Sequence, residues 1–193
     1  MMLSATVVLI AGGVPASATA LAAPSATVLL HVAALPVTPA VDWVETTDPP
    51  SGITAELPGK VTVRKATVSI EGKPVDARGY GLDTPDGAVG FFVHDMPGDQ
   101  YPLEDDLQGV LESYMQNTAE PLTSSDVHKT TFDSRPALDA RLTSETEDET
   151  LTGFIRLIAD DKHLVQALVL GPEANDKALK AMHERLLASL RIP

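Results

Sequence analysis

The sequence predicts an α+β fold, an antiparallel β-sheet of about seven to eight strands packed with helices. Three observations lead to this prediction. Short alternating or apolar runs are joined by tight-turn signals such as LPG, EGKP and TPDG, which is typical of a β-meander. Apolar residues recur at helical spacing in two segments only. No β-α-β alternation is present, so the strands are expected to pair in antiparallel fashion.

The predicted strands form two groups, which are separated by the first predicted helix. Glycine, proline and acidic residues bound the runs, and these residues are typical of turns. The eight runs are GITAELPG, VTVRKATVSI, VDARGYGLD, AVGFFVHDM, SSDVHKTTFDS, PALDARLTSE, GFIRLIAD and HLVQALVLG.

Two amphipathic helices are predicted from apolar residues at helical spacing. The first extends to about Asn117, and its apolar residues are Leu103, Leu107, Val110, Leu111 and Tyr114. The second closes the chain, and either Asn175 or Asp176 is expected to cap it. Its apolar stripe consists of Ala178, Leu179, Met182, Leu186 and Leu190. We expect Leu107, Leu111, Leu186 and Leu190 to be buried against the sheet.

The N-terminal 41 residues contain no Lys, Arg, Asp or Glu. An apolar run followed by small-residue triplets such as Ala20-Leu21-Ala22 is similar to a secretory signal with its cleavage site. A transmembrane anchor is the alternative, although Gly12, Gly13 and Pro15 interrupt the run. We therefore predict a signal-like or anchoring leader (1–41), a linker (42–52) and a single domain (53–193), in a protein that is secreted or held in the cell envelope.

Charge and cysteine content exclude several classes of function. The net charge is −13, which argues against nucleic acid or an anionic membrane surface as the main partner. Contact with a membrane is expected only through an uncleaved leader. Cysteine is absent, so thiol catalysis and thiolate metal sites are excluded.

The charges are unevenly distributed along the chain. Ten acids and no Lys or Arg lie between Arg78 and Lys129, whereas the preceding hairpin carries Lys60, Arg64, Lys65, Lys73 and Arg78. This distribution predicts a basic edge and an acidic helix side. The acidity either keeps an exported protein soluble or forms a docking face for a basic segment or divalent cations.

Several short phrases, in order, resemble a known family. They are LPGK, EGKPVDARGYGLD, HDMP, SRPALDARL, DDKHLVQALVLGP and LLASLRIP, preceded by Trp43. From Trp43 to Pro193 the chain is similar to secreted bacterial PsbP-like domains, which are related to the actinobacterial lipoproteins LpqN and LpqT. The resemblance implies a PsbP-like α/β/α sandwich and a binding or assembly role rather than catalysis. This chain departs from the lipoproteins because it has no cysteine to acylate.

The segment HDMPGDQYPLEDD looks more like a chemical site than any other stretch. His94 and Asp95 are adjacent, so on a strand they point to opposite faces and do not share a ligand easily. Glu104, Asp105 and Asp106 fall in the first turn of a helix that begins near Pro102, where acids interact favourably with the exposed N–H groups. These residues are therefore predicted to be structural.

Calcium bound by Asp95, Asp99 and Glu104 is the alternative, although this spacing does not match an EF-hand loop. A triad of Ser134, His128 and Asp133 is conceivable, but Ser and Asp at a strand end are commonly turn residues. Asp83 and Asp86 are likewise assigned to a turn.

Zinc-peptidase, serine-hydrolase and nucleotide-binding motifs are absent from the sequence. We therefore predict no catalytic, cofactor-binding or metal-binding residues and no cofactor. The expected function is a non-catalytic exported domain that binds an unknown protein or envelope component. The alternative is a hydrolase with an unrecognised site, which a pocket joining His128 or His163 to a carboxylate and a hydroxyl would favour.

Overall fold

The computed structural model describes residues 42–70, 73–96, 102–118, 120–146 and 149–193. These residues contain nine strands, two α-helices and one 3₁₀ turn (Glu173–Asn175). The strands are β1 (Val44–Thr47), β2 (Thr54–Leu57), β3 (Thr62–Ile70), β4 (Lys73–Thr84), β5 (Gly87–His94), β6 (Thr123–Phe132), β7 (Arg135–Glu145), β8 (Thr150–Ala159) and β9 (Leu164–Pro172). The helices are α1 (Leu103–Thr118), between β5 and β6, and α2 (Asp176–Ser189), after β9.

All strand pairs are antiparallel. Strands β1 and β2 form a separate two-stranded sheet, and the other seven form one sheet in the order β3-β4-β5-β9-β8-β7-β6. The last strand, β9, lies between β5 and β8 and joins the two groups of strands. The predicted α+β fold with an antiparallel sheet is therefore confirmed.

Side chains alternate between two faces of the large sheet, and each face has its own apolar core. Helix α2 and strand β2 cover one face, where Phe91, Val165, Ala167, Leu179 and Leu186 share a core. We call this the α2 face.

Helix α1 covers the opposite face, where Leu103 and Leu107 pack with Leu138, Ile155 and Leu164. We call this the α1 face. The two helices thus lie on opposite sides of the sheet, as the predicted sandwich requires.

The region expected to be a linker, 42–52, contains a strand. Strand β1 pairs with β2 along its whole length. The β1–β2 sheet is held in place from outside, because Thr54 and Arg191 exchange backbone hydrogen bonds of 3.1 and 2.8 Å. The Arg185 guanidinium also lies 4.3 Å from the centre of the Trp43 ring, a cation–π contact. Tertiary contacts thus stabilise a strand that is too short to be predicted from its own sequence.

The core predictions for the helices are correct for three of four leucines. Leu107 is 4% exposed, and Leu186 and Leu190 are 0% exposed. Leu111 is only half-buried, because it lies at the margin of the α1 stripe.

The predicted cap of α2 is not made, since Asn175 occupies the N-cap position without a capping hydrogen bond. Its side chain instead donates to the Asp86 carbonyl. Asp176 does not cap the helix either, because its carboxylate accepts from Arg141.

The predicted leader lies outside the described residues. Within the part of the chain that the structure describes, none of the helices combines the length and apolar character needed to span a bilayer.

Candidate functional site

A groove lies on the α2 face, between the β1–β2 turn and strands β3 and β4. It consists of two adjoining cavities of about 540 Å³ and 330 Å³. Pro50, Lys65 and Arg78 line both cavities. The first is completed by Ala66, Thr67, Asp76, Ala77 and Asp95, and the second by Thr47, Pro49, Val63 and Tyr80.

Arg78 is the centre of a buried charge network beside this groove. Its Nε lies 2.6 Å from Asp48 Oδ1, and one of its terminal nitrogens lies 3.0 Å from Asp48 Oδ2. Two further hydrogen bonds of 2.6 Å join the guanidinium to the two oxygens of Asp95. Arg78 is 6% exposed and Asp48 is 0% exposed. Two carboxylates therefore accept from four of the five N–H donors of the guanidinium, and each is bound in bidentate fashion.

The Asp48 carboxylate receives two hydroxyl donors in addition to Arg78. Tyr80 donates to Oδ1 at 2.7 Å, and Ser51 donates to Oδ2 at 2.5 Å. Burial alone raises the pKa of Asp48, but the hydrogen bonds from Arg78, Ser51 and Tyr80 outweigh it and hold the pKa at about 2. Burial, together with the hydrogen bond to Asp48, raises the pKa of Tyr80 to about 12. Asp48 is thus ionised and Tyr80 is neutral at physiological pH.

Local sequence explains how the network is assembled. Asp48 opens the DPPSG turn between β1 and β2, in which its carbonyl accepts from Gly52 N–H at 2.8 Å. Gly52 has a φ of 75°, a conformation that glycine adopts without strain. Arg78 and Tyr80 are two residues apart on β4, so both side chains point to the α2 face. The network thereby fastens the β1–β2 turn to the sheet and fixes one wall of the groove.

The network continues from Asp95 towards the C-terminus. His163 Nε2 lies 3.8 Å from Asp95 Oδ1, and its Nδ1 lies 3.5 Å from Asp160 Oδ2. Arg135 binds Asp160 at 2.7 Å and also donates to the carbonyls of Ile192 and Pro193. Burial raises the pKa of Asp160, but the hydrogen bond from Arg135 is among the contacts that bring it below its usual value. A row of alternating acidic and basic side chains therefore extends from the groove to Arg135, which contacts the carbonyls of Ile192 and Pro193.

His94 and Asp95 lie on opposite sides of the sheet, as predicted. Asp95 faces Arg78, whose hydrogen bonds lower its pKa. His94 is partly buried on the α1 face, and its Nδ1 makes no hydrogen bond to the described residues. Burial lowers the pKa of His94, and the charge of Arg78 adds to this effect.

The acids proposed as calcium ligands in the alternative interpretation have separate partners. Asp95 binds Arg78, and Glu104 pairs with Lys129 at 2.8 Å. Asp99 lies outside the described residues. No group of three or more His, Asp or Glu side chains suited to a metal occurs within the described residues.

The acids of the first turn of α1 are placed as predicted, since the helix begins at Leu103 and contains Glu104, Asp105 and Asp106 in that turn. The position is less favourable for Asp106 than expected, because its Oδ2 is buried without a hydrogen-bond partner among the described residues. Burial, and then the charge of Asp105, raises the pKa of Asp106 to about 6.

The triad of Ser134, His128 and Asp133 is not assembled. Asp133 and Ser134 have φ angles of 47° and 67° and form the two-residue turn between β6 and β7. His128 lies four residues before the end of β6, about 13 Å from the turn at the usual rise per strand residue. Its Nε2 approaches Asp139 at 3.5 Å, but Arg156 already binds both oxygens of that carboxylate.

The assignment to a turn is correct for Asp86 but wrong for Asp83, which pairs with Ala88 as part of β4. Asp83 lies near the end of β4, and the turn to β5 follows it. Thr84 Oγ1 closes the turn by accepting from the N–H groups of Asp86 and Gly87 at 3.2 Å.

Sequence reasoning missed the buried network, apart from noting Arg78 as part of a basic hairpin. Arg78 and Tyr80 give one local signal, because polar residues at positions i and i+2 of a strand share a face. Asp48 gives none, since it lies 30 residues before Arg78 in a segment expected to be a linker.

Comparisons with known proteins support the fold. The chain matches no protein-family profile, and no curated protein matches it by sequence. It is similar to the solution structure of cyanobacterial PsbP (CyanoP) from Synechocystis sp. PCC 6803, with a TM-score of 0.59 and 10% identity over 84% of this chain and 99% of that one. A Pseudomonas aeruginosa protein of unknown function, PA94, aligns with a TM-score of 0.44 and 10% identity over 78% of this chain and 98% of that one. The likeness to CyanoP confirms a PsbP-like fold, while the likeness to the actinobacterial lipoproteins stays a prediction.

Proposed function

We propose that this chain is a non-catalytic domain, exported or associated with the cell envelope, that binds a protein or another envelope component through the groove on its α2 face. The observation that carries the proposal is the mutual pairing of three buried or half-buried charged groups beside the groove. Arg78, Asp48 and Asp95 are bound to one another, and the hydroxyls of Tyr80 and Ser51 donate to Asp48. These groups are engaged in holding the groove in shape, which suits a binding surface.

The alternative is a hydrolase that joins His128 or His163 to a carboxylate and a hydroxyl, and a hydrolase of this type requires a base next to a hydroxyl nucleophile. His163 approaches two carboxylates, which is one part of such a site. In the described residues, however, no Ser, Thr or Tyr hydroxyl is hydrogen-bonded to His163 or His128. The sequence resemblance to PsbP-like binding modules supports the same class of function.

Export rests on the uncharged leader. N-terminal sequencing of protein made in a secreting host should give a start between Ala20 and Val44, because a signal peptidase would cleave after one of the small-residue triplets. Recovery of intact Met1 in the soluble cytosolic fraction would contradict export.

Site-specific photo-crosslinking tests binding at the groove. The full chain would carry a photoreactive amino acid at Val63, which lines the groove, or at Met115 on α1 as a matched control. Both side chains are 50% exposed, so they offer similar access to solvent. A light-dependent adduct with one polypeptide at Val63 and not at Met115 is the expected result. Equal labelling at both positions, or hydrolysis of a test ester that His163→Ala abolishes, would refute the proposal.

A further inference from the structure

Strand β3 forms one edge of the large sheet, and its first six residues are uncovered on both faces. Every residue from Thr62 to Thr67 is exposed, and Val63 is 50% exposed. Its register with β4 is continuous over all nine residues, from Thr62 opposite Gly81 to Ile70 opposite Lys73. Alternate residues of such a strand point their N–H and C=O groups away from the sheet, so β3 offers a regular row of backbone donors and acceptors about 30 Å long.

The other edge strand, β6, is unsuited to further pairing. Its register shifts between Ser125 and His128, and Asp126 within this bulge has a φ of 51°. A bulge interrupts the row of edge hydrogen-bonding groups and twists the strand away from a potential neighbour. Of the two edges of the large sheet, β3 is therefore the one suited to pairing with another strand.

The edge at β3 is basic in a strongly acidic protein. Four cationic side chains on or beside it make no ion pair with the described residues, and they are Lys60, Arg64, Lys65 and Lys73. All four are exposed, whereas the chain as a whole has a net charge of −13. Arg64 and Lys65 are adjacent in the middle of the strand, so they project from opposite faces of the same edge.

We infer that the β3 edge binds an extended, acidic segment of another protein, which adds to the seven-stranded sheet as an eighth strand. Backbone hydrogen bonds to β3 would hold the segment, and carboxylates on its two faces would pair with Arg64 and Lys65. Long side chains on its α2 face would reach the groove beside Val63 and Lys65. This inference rests on the proposed function and specifies the chemistry of the partner.

A second copy of this chain fits the edge less well. Two β3 strands paired antiparallel about their centre, Ala66, would place Lys65 of one copy diagonally across from Lys65 of the other, about 7–8 Å apart. Like charges at neighbouring positions across a strand pair are destabilising, and lysine on an edge strand is a common defence against self-pairing. Charge complementarity therefore favours an acidic partner over self-association.

A peptide-binding experiment with the full chain tests the inference. The probe is a fluorescent ten-residue peptide with two central glutamates flanked by alternating valine and threonine. The control peptides carry two lysines in place of the glutamates, or consist of glutamate alone. We expect saturable binding of the probe alone, because the partner site requires both strand propensity and acidic charge. Binding should weaken about tenfold in Arg64→Glu/Lys65→Glu and remain unchanged in Lys177→Glu/Lys180→Glu, whose lysines are exposed on α2.

Four results would overturn the inference. They are no binding of the probe, equal binding of polyglutamate, an unchanged affinity in Arg64→Glu/Lys65→Glu, and a wild-type dimer in sedimentation that this variant abolishes. Competition between the probe and vesicles of anionic lipid would also overturn it, because the edge would then bind polyanions in general. The crosslinking experiment separates this inference from the proposed function. An adduct at Val63 without binding of the probe would contradict the inference but leave the proposed binding function standing with a different partner. Absence of both the adduct and probe binding would contradict the inference and the proposed function together.

Discussion

Replacing Arg78 with methionine should strongly destabilise the fold. Within the described residues, Arg78 is the only cation that contacts the Asp48 carboxylate, which is fully buried. The variant would leave that carboxylate with two hydroxyl donors, the Ser51 N–H and no counter-charge. Removal of one partner of a buried ion pair costs about 3–5 kcal/mol. Asp95 is 40% exposed and would be hydrated, so most of the loss is expected to come from Asp48.

The pH dependence should change sign in the same variant. In the wild type the pKa of Asp48 falls from 3.8 to about 2, a shift that corresponds to roughly 2 kcal/mol. That stabilisation is fully present above pH 3.8 and is lost as the pH falls towards 2. Without Arg78, burial dominates and raises the pKa of Asp48. The variant should therefore become more stable relative to wild type as the pH falls and Asp48 is protonated.

Urea denaturation at several pH values measures these differences in the free energy of unfolding. Lys129→Met is the matched control, because Lys129 is 76% exposed in its pair with Glu104 and exposed pairs contribute little to stability. The double variant Asp48→Asn/Arg78→Met should be more stable at pH 7 than Arg78→Met alone, since it no longer buries an unpaired charge. A loss below about 1 kcal/mol for Arg78→Met, or no recovery in the double variant, would refute the reasoning.

Three further predictions concern stability and are checked by denaturation. Asp106→Asn should stabilise the protein by about 1 kcal/mol at pH 7. The pKa of Asp106 is raised to about 6, so its ionisation costs stability as the pH rises from 3.8 to 6, and the gain should vanish at pH 4. Leu186→Ala should cost about 2–5 kcal/mol and Leu111→Ala about 1 kcal/mol, because only Leu186 is fully buried; equal losses would contradict the assigned faces. Burial lowers the pKa of His183 to about 4, so wild type should lose stability between pH 6.5 and 4, and His183→Gln should lose less.

The elements that were predicted correctly have strong local signals. The TPDG sequence predicts the β4–β5 turn because a threonine hydroxyl and a glycine close it locally. The acids at the start of α1 mark a helix N-terminus. Strand β1 was missed because its four residues lie among prolines and depend on distant contacts. Its stability comes from β2, which is in turn tied to Arg191 near the C-terminus.

The buried network was missed for a different physical reason. A strand places Arg78 and Tyr80 on one face, but the carboxylates that bind them come from a loop 30 residues upstream and from the end of the next strand. Only the fold brings Asp48 and Asp95 to the same guanidinium. The spacing of these residues in the sequence does not indicate that their side chains meet. The basic edge was predicted from composition along the hairpin, since all of its charges lie close together in the chain.

Amide hydrogen exchange along β3 tests most directly the central claim, that this edge and the groove beside it form the binding surface. Exchange would be measured on the full chain with and without the peptide that carries two central glutamates. The outward N–H groups of β3 are exposed to solvent in the free protein and would become hydrogen-bonded in the complex. We predict that alternate amides between Thr62 and Val68 exchange at least about tenfold more slowly when the peptide is bound, and that amides of β6 are unchanged. Unchanged exchange along β3 in the presence of bound peptide, or protection confined to β6 or α1, would contradict the account.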